Sequence, residues 1–502
     1  MFIDEKKSKA AKKKPKFYIT TPIYYVNDAP HIGHFYTTLV ADILTRWFRL
    51  KGYNVFFLTG TDENSQKNVE AALKHGETDI QKYVDKMAKI WRETFEKLGL
   101  QFNDFIRTTE ERHKKGVKKF FEIVYKKGDI YKGKYVGYYC VGCEAFKTKS
   151  ELIEGKCPIH KTEPKILEEE NYFFKASKYK QKLLDYIEKH PEFIQPEARR
   201  NEIIEYIKTA FDDFSISRQT QKWGIPVPID NSQVLYVWFD ALINYLTGIG
   251  YGSNEKLFKK YWPADLHLVG KDIIKFHCAL WPAMLFSAGI PLPKKVFAHG
   301  FFTVNGEKIS KSLGNVVDPL ELSKKYSVDS VRYFLIREIP FGEDGDFSEE
   351  ALKNRHNGEL LGDLGNLINR VLTLAEKSGF KKFSGRKELD KKFDLKKIER
   401  YMENLELHNA INEIMEFVRT CNKYINDKKP WELQGKELES VLYNLLEACR
   451  IISIVIYPFL PTTAQKISEQ LGTKIKNLKS CKFRKEFREK IKRGEYLFKK
   501  VE

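Results

Sequence analysis

The N-terminal region alternates between short apolar runs and a helical pattern. FYITTPIYY, broken by a proline, is rich in strand-forming residues, and NVFFLTG has the continuous apolar character of a buried strand. Between them Leu39, Ile43 and Trp47 recur at helical spacing, and Gly52 stands where that helix would end. The pattern predicts a βαβ unit, and parallel sheets of this kind bind ligands beyond the carboxyl ends of their strands. TTPIYYVNDAPHIGH and TGTDENSQK would lie at those ends.

The middle of the chain has a different pattern of apolar and polar residues. From about Gly128 to Trp223 the segments are short, punctuated by glycine and cysteine-bearing, and α/β patterning then resumes in VLYVWFDALINYL and KVFAHGFFT. We interpret the middle as an insertion into one α/β domain. After Phe347, long amphipathic helices predict a separate helical domain. The predicted boundaries are a basic arm over 1–16, two halves of the α/β domain over 17–128 and 226–300, the insertion over 129–225, a connecting segment over 301–350 and the helical domain over 351–502.

Composition and charge narrow the class of protein. A chain of 502 residues, 42% hydrophobic and 14% aromatic, is long and apolar enough for several well-packed domains. Its net charge of +19 favours a polyanionic partner and a lysine-rich surface without a partner about equally. The N-terminal MFIDEKKSKAAKKKPK lacks the apolar segment of a secretory signal, so we expect a disordered basic arm. Seven cysteines in so long a chain do not indicate a disulfide scaffold, and we expect a cytoplasmic protein.

Two histidines, His31 and His34, flank Gly33 where the first predicted helix begins. Unpaired amides and the helix dipole make such a position an anion site, and imidazole N–H groups can donate to phosphate oxygens. The glycine would leave room for a flat base over the backbone. A capped helix with surface histidines is the plain alternative.

A second candidate segment, NGEKISKSLGN, lies far downstream. It places Lys308 and Lys311 among small and polar residues, bounded by Gly306 and Gly314. A loop of this composition is mobile and can bring compact positive charges onto a nucleotide's phosphates. By itself it could equally be a solvated lysine loop, but its combination with PHIGH on a βαβ unit favours a nucleotide site.

A third motif has the spacing of metal ligands. Cys140 and Cys143 form a CxxC pair, and Cys157 and His160 follow in CPIH. This spacing is typical of tetrahedral zinc, and four protein ligands would make the site structural, without an open position for catalysis. Two reduced cysteines and a stray histidine are the alternative. The remaining cysteines have no such spacing and are expected to be unpaired thiols: Cys278, Cys421, Cys449 and Cys481.

These motifs make the chain similar to the class I aminoacyl-tRNA synthetases, whose HIGH and KMSKS signatures read here HIGH (31–34) and KISKS (308–312). Through TPIYYVNDAPHIGH, TGTDE, YVWFDALINY, GKDIIKFH and the CxxC knuckle it resembles the methionine-specific family, from Phe17 to beyond Trp431. The resemblance implies an α/β Rossmann-like (HUP-type) catalytic core with an inserted zinc-knuckle connective domain, plus a C-terminal all-α anticodon-binding domain. It also implies ATP-dependent ligation of L-methionine to tRNA through methionyl-adenylate, with release of pyrophosphate and AMP.

The resemblance also implies roles for individual residues. His31 and His34 would hold the phosphates, and Lys311, supported by Lys308, the departing pyrophosphate. The nominated ATP-binding residues are Asn27, His31, Gly33, His34, Arg218, Gly270, Lys271, Asp272 and Lys311. The nominated methionine-binding residues are Ile23, Tyr25, Asp62, Trp238, Ala241, Leu242, Tyr245, Ile273 and His277. Mg²⁺ would accompany ATP, and one structural Zn²⁺ would occupy the knuckle.

The chemistry of this pocket is coherent, although an aromatic cluster is more often simply core. Aromatic walls such as Trp238 and Tyr245 suit a polarizable thioether, and Asp62 could hold the substrate's ammonium. Two departures leave its detailed shape open: the family's DEHG reads DENS from Asp62, and Leu242 replaces a common proline.

In the helical domain, Asn366 and Arg370 lie four residues apart on one predicted helix face, and Trp431 follows a proline. Edge-bonding groups with an aromatic face suit unstacked anticodon bases, whereas a solvated pair and a packed tryptophan are the alternative. The resemblance implies initiator and elongator methionine tRNAs with a CAU anticodon. No β-barrel appendage follows the helices, so we expect a monomer.

Two alternative hypotheses about the function stay open. Synthetases for valine, isoleucine or leucine carry a much longer editing insertion, and small nucleotidylyltransferases of the same fold lack an anticodon domain. A catalytically silent tRNA-binding relative would keep the fold without the reaction.

Overall fold

The computed structural model describes residues 14–142, 145–147, 152–304, 306–309 and 315–502. In chain order the strands are β1 (Lys16–Tyr25), β2 (Asn54–Asp62), β3 (Asp104–Arg107), β4 (Ile130–Cys140), β5 (Ala145–Lys147), β6 (Lys165–Phe174), β7 (Ile194–Gln195), β8 (Phe214–Ser215), β9 (Ser217–Arg218), β10 (Pro226–Val227), β11 (Asp230–Leu235), β12 (Leu266–Gly270), β13 (Val296–His299), β14 (Phe302–Val304), β15 (Glu307–Lys308), β16 (Gly345–Phe347), β17 (Phe383–Ser384) and β18 (Glu486–Phe487).

The helices are α1 (Ile32–Leu50), α2 (Gln66–Lys74), α3 (Ile80–Lys97), α4 (Glu111–Lys126), α5 (Lys180–Lys189), α6 (Glu197–Thr209), α7 (Val237–Leu242), α8 (Asn244–Thr247), α9 (Glu255–Tyr261), α10 (Trp281–Ala288), α11 (Pro319–Tyr326), α12 (Val328–Glu338), α13 (Glu349–Arg355), α14 (Asn366–Ser378), α15 (Leu395–Glu403), α16 (Leu407–Lys428), α17 (Gly435–Ile456) and α18 (Pro461–Gln470). Two π-helical segments, Phe276–Leu280 and His356–Gly365, precede α10 and α14. Within the described ranges, no helix is long and apolar enough to cross a bilayer.

The central sheet has the strand order β3-β2-β1-β12-β13-β7, and all of its pairings are parallel. The chain leaves β1 towards β2 on one side and later returns to β12 on the other, so a topological switch point lies between β1 and β12. This is the predicted α/β Rossmann-like core, and that part of the predicted fold class is confirmed.

The predicted βαβ unit is present. α1 begins just after His31 and ends at Leu50, and Gly52 adopts a φ of +90° just beyond it. The proline expected to break the first strand shifts its register instead, between Thr20 and Ile23, and the strand continues to Tyr25. The strand also begins within the predicted arm, because Lys16 is its first residue; residues 1–13 lie outside the described ranges.

The segment predicted as an insertion, 129–225, contributes strands to three sheets; in one of them its β9 pairs antiparallel with β11. β5, β4, β6 and β8 form an antiparallel sheet of their own. β7, from the same segment, extends the central parallel sheet through the pairing of Ile194 with Val296. Apolar side chains of α5 and α6, among them Leu183 and Ile203, pack in the core on one face of that sheet. The central sheet therefore takes its edge strand from within the predicted insertion.

A buried charged cluster joins the α/β core to the helical domain. Asp42, on α1, accepts hydrogen bonds from Arg46 Nε at 2.7 Å and from Arg332 Nη2 at 2.8 Å. Arg332 also donates to the backbone oxygens of Pro458 and Phe459, between α17 and α18. Burial raises the pKa of Asp42, but the charges of Arg332 and Arg46 together lower it below its ordinary value. The helix that begins at the HIGH turn is thus tied directly to the C-terminal helices.

Candidate active site

A cavity of about 570 Å³ opens at the carboxyl ends of four central strands. The strand register brings candidate residues level with one another: Tyr25 pairs with Asp62, and Gly270 pairs with His299. All four residues line the cavity. This position is the one predicted for a ligand in a doubly wound sheet.

The HIGH turn forms one wall of the cavity through a reciprocal cap at the start of α1. The Gly33 N–H donates to His31 Nδ1 at 3.1 Å, and the His31 N–H donates to His34 Nδ1 at 3.2 Å. The two rings stack with their centroids 3.7 Å apart, and Trp91 and Tyr24 pack against His34. A Cβ at Gly33 would lie 3.0 Å from the His31 ring, so the glycine makes room for the cap itself.

The cap also determines where the imidazole protons are. Because Nδ1 of each ring accepts a backbone N–H, the neutral form of each ring carries its hydrogen on Nε2. Burial lowers the pKa of His31 to about 4, with a partial offset from Asp28. Burial and the neighbouring His31 lower the pKa of His34 well below its ordinary value. At neutral pH the turn therefore carries two Nε2–H donors.

The KISKS segment approaches the same turn. The Ile32 N–H donates to the Val317 carbonyl at 3.0 Å, and Ile309 and Val316 line the cavity beside the histidines. Lys308 ends β15, which pairs antiparallel with β14. Lys311 lies outside the described residues. Ile309, within KISKS, and the flanking Val316 thus lie at the cavity that the histidine turn lines.

All nine nominated methionine-binding residues line this cavity: Ile23, Tyr25, Asp62, Trp238, Ala241, Leu242, Tyr245, Ile273 and His277. Trp238 stacks on Phe276 with ring centroids 3.9 Å apart and meets His277 edge-on. The cavity therefore has an aromatic side as well as the histidine turn.

A hydrogen-bond chain orients the polar groups on the aromatic side. His277 Nδ1 lies 2.9 Å from the Ile273 carbonyl, to which it donates, and the Tyr245 hydroxyl lies 2.7 Å from Nε2. Burial lowers the pKa of His277 to about 4, so the ring is neutral and its Nε2 accepts from Tyr245. The Tyr245 oxygen keeps its lone pairs for other contacts.

The nominated ATP-binding residues are not all at the cavity. Asn27, His31, Gly33, His34, Gly270 and Asp272 line it. Lys271 instead pairs with Asp344, with 2.6 Å between Nζ and Oδ2, and lies over the ring of Phe301 at the rim. Arg218 is buried in β9, where its Nη1 donates to the Ser215 hydroxyl and the Ser217 carbonyl and its guanidinium lies 3.9 Å from the Tyr236 ring centroid. The structure therefore does not bring these two cations to the cavity, because other partners hold them.

Sequence reasoning missed several residues that line the cavity. His299 ends β13, and Gly300 and Phe301 follow it. The rule about strand ends that pointed to β1 and β2 applies equally to β13 and could have found them. Trp91 had no such signal, because it comes from the middle of α3, and only folding brings it against His34.

Three of the four knuckle residues come together. The ligand atoms of Cys140, Cys157 and His160 all lie within 4.8 Å of one another, and each sulfur is 3.9 Å from His160 Nδ1. A Cβ at Gly142 would meet the His160 ring at 2.5 Å, so this glycine allows the approach. Cys143 lies outside the described residues. The thiolate and imidazole donors present fit a soft divalent metal such as zinc.

The anticodon candidates lie near one another in the helical domain. Arg370, on the first turns of α14, donates from Nη2 to Asn426 Oδ1 at 2.8 Å, close to the end of α16. Trp431 lies in the short 3₁₀ turn Pro430–Glu432 that follows α16, and it is 57% exposed. Asn366 begins α14 and is exposed. The exposure of Trp431 argues against a purely packing role.

Comparisons with known proteins cover nearly the whole chain. The family described as "tRNA synthetases class I (M)" matches residues 17–164 and 147–372, and "Anticodon-binding domain of tRNA ligase" matches 393–500. The methionine–tRNA ligase of Caldanaerobacter subterraneus is 49% identical over 511 residues, which cover 97% of this chain and 79% of that protein. That of Thermotoga maritima is 49% identical over 479 residues, or 91% and 75% of the two chains.

Solved structures show the same similarity. Mycobacterium tuberculosis methionyl-tRNA synthetase in complex with methionyl-adenylate superimposes with a TM-score of 0.92 at 38% identity, covering 96% of this chain and 99% of that one. Its apo form gives a TM-score of 0.86 at 35% identity, with coverage of 98% and 99%.

Proposed function

The chain belongs to the class I methionyl-tRNA synthetases, and from this premise we propose how its cavity makes methionyl-adenylate. The enzyme ligates L-methionine to its cognate tRNA with ATP, through the adenylate, and releases pyrophosphate and AMP. The observation that carries the proposal is the convergence of the histidine turn and the segment flanking KISKS on one cavity, joined by the bond from Ile32 to Val317.

Methionine would occupy the aromatic side of the cavity. Asp62 supplies a carboxylate for the substrate ammonium, and Trp238, Tyr245 and His277 surround the unbranched thioether. Neutral His277 suits this role, since a buried imidazolium beside an apolar side chain would be costly. Leu242, in place of the family's common proline, contributes to the same wall.

The histidine turn would bind the triphosphate. The substrate carboxylate attacks the α-phosphorus, so the protein forms no covalent bond and contributes position and charge. The Nε2–H groups of His31 and His34 donate to phosphate oxygens. The lysines of KISKS stabilise the negative charge that develops on the departing pyrophosphate. Asn27, Gly33, Gly270 and Asp272 line the remaining nucleotide side. Mg²⁺ would arrive with the nucleotide and neutralise part of its charge.

Arg218 and Lys271 enter this proposal differently from the other candidates. Lys271 already lies over the ring of Phe301, which lines the cavity, and Asp344 holds it there, so release from Asp344 would let it reach a nucleotide. Arg218 would have to give up its bonds to Ser215 and Ser217. We therefore assign the initial binding of ATP to the residues that already line the cavity.

Further roles complete the proposal. Cys140, Cys143, Cys157 and His160 would hold one Zn²⁺, which supplies a cross-link within the connective domain and no catalysis. Asn366, Arg370 and Trp431 would read the CAU anticodon of the initiator and elongator tRNAs. We further propose that the enzyme is a monomer and acts in the cytoplasm.

The test is ATP–pyrophosphate exchange with methionine, leucine, isoleucine and cysteine offered separately. We expect exchange with methionine in clear preference to the others. Exchange driven by another amino acid would point to a different synthetase, and no exchange with any of the four would point to a silent tRNA-binding relative.

A further inference from the structure

A hydrogen bond behind the cavity joins two segments that contribute to the methionine side. The Asn64 side-chain amide donates from Nδ2 to Asp240 Oδ2 at 2.8 Å. Asn64 lies two residues after Asp62, and Asp240 lies between Trp238 and Ala241 in α7. Both side chains are buried, at 4% and 0% exposure, and neither lines the cavity. The bond therefore connects the candidate ammonium group to the aromatic wall from outside the binding space.

A third segment holds the other oxygen of Asp240. His113 Nε2, on α4, lies 3.1 Å from Asp240 Oδ1, and His113 Nδ1 lies 2.8 Å from the Thr247 hydroxyl. With the carboxylate as acceptor, Nε2–H donates to it and Nδ1 accepts from Thr247. Since a buried carboxylate is costly unless it is hydrogen-bonded, these two contacts hold Asp240 in one orientation.

Two further hydrogen bonds hold the loop that carries Asn64 against the start of α2. The Asn68 amide donates to the Asp62 carbonyl at 2.9 Å, and the Ser65 hydroxyl accepts from the Lys67 N–H at the start of α2. These bonds join the loop to the start of α2, and the Asn64 amide joins it to α7. This gives a physical role to the sequence departure: where the family's motif has histidine, Asn64 supplies the N–H that Asp240 accepts.

We propose that Asn64 and Asp240 are positioning residues that set the separation between the Asp62 carboxylate and the wall of Trp238, Ala241 and Leu242, and so determine the affinity for methionine. This inference rests on the proposed function, because it assumes that Asp62 and that wall bind the two ends of the amino acid. A short pocket that must hold an ammonium and a thioether at once is sensitive to such a distance.

The test compares variants of Asn64 in methionine-dependent pyrophosphate exchange. Asn64→Ala removes the donor, and we expect KM for methionine to rise about tenfold, as for loss of a hydrogen bond to a charged group, while KM for ATP stays unchanged. Asn64→His restores an N–H donor and should return KM to near its original value. Asn64→Ser, which is too short to reach Asp240, gives a second disrupted variant if the alanine variant does not fold.

A matched control separates positioning from general stability. Asn444 is also a fully buried asparagine whose amide bonds to backbone groups, but it lies in α17, in the helical domain. We expect Asn444→Ala to lower the melting temperature without changing KM for methionine.

Three results in an enzyme that otherwise exchanges normally would overturn this inference alone. They are an equal rise in both KM values, a fall in melting temperature with KM for methionine unchanged, and an Asn64→His variant as impaired as Asn64→Ala. Absence of methionine-dependent exchange in the unsubstituted chain would refute the proposed function and this inference together.

Discussion

Replacing His31 by asparagine and by alanine should separate two roles that the structure gives to one side chain. His31 caps α1 through Nδ1, which accepts from the Gly33 N–H at 3.1 Å, and its Nε2–H is the proposed phosphate donor. Asparagine is among the best N-cap residues, so His31→Asn keeps the cap, but its shorter side chain places no N–H at the position of Nε2–H. His31→Ala removes both.

The magnitudes follow from these contacts. Loss of the cap should lower the free energy of unfolding of His31→Ala by about 1 kcal/mol relative to His31→Asn. Loss of a preorganised donor to a transition-state oxygen costs about 3 kcal/mol, so both variants should lose roughly a hundredfold in adenylate formation. Each variant also loses the stack on His34, so any effect of that stack is common to the pair.

The assays are pyrophosphate exchange at saturating methionine and urea unfolding of the same preparations. His75→Asn is the control, because His75 is exposed at the end of α2 and should change neither result. If His31→Asn exchanged pyrophosphate at nearly the unsubstituted rate while His31→Ala did not, His31 would act only as a helix cap and its assignment to the phosphates would be refuted.

Four further predictions concern separate parts of the molecule. Trp431→Ala should spare pyrophosphate exchange but weaken aminoacylation of methionine tRNA, since the ring is 57% exposed; a parallel loss of exchange would show that it is core. Lys311→Ala should slow adenylate formation much more than it weakens methionine binding, and equal losses would contradict its role at pyrophosphate. Burial lowers the pKa of His277 to about 4 from its unfolded value of 6.5, so the unfolded chain binds a proton on this ring at a higher pH than the folded chain does. The free energy of unfolding therefore falls as the pH drops from 6.5 to about 4. By pH 4 this amounts to roughly 3 kcal/mol, and His277→Gln should flatten the measured curve of unfolding free energy against pH by that amount; an unchanged curve would mean that His277 is not the titrating group. Metal analysis of the purified chain should find about one zinc per molecule, and Cys140→Ser should lose it, whereas full retention of zinc by that variant would place the metal elsewhere.

The local parts of this protein could be predicted because their signals are local. The βαβ unit follows from apolar periodicity, and the start of α1 follows from the turn that precedes it. The motifs also identified residues that all line one cavity on the methionine side. These features can be predicted from the sequence because the formation of a helix or strand depends mainly on residues within a few positions.

The sequence by itself determined the α/β core, the helical C-terminal part and the kinds of chemical group available to the site. Only the tertiary structure decided which groups meet. It brings Trp91 and His299 to the cavity, keeps Arg218 among Ser215 and Tyr236, and assigns β7 to the central sheet. It also places the imidazole protons of the HIGH turn and joins Asn64 to Asp240. These outcomes depend on packing and hydrogen bonds between positions far apart in the chain, and no short pattern encodes the distance between them.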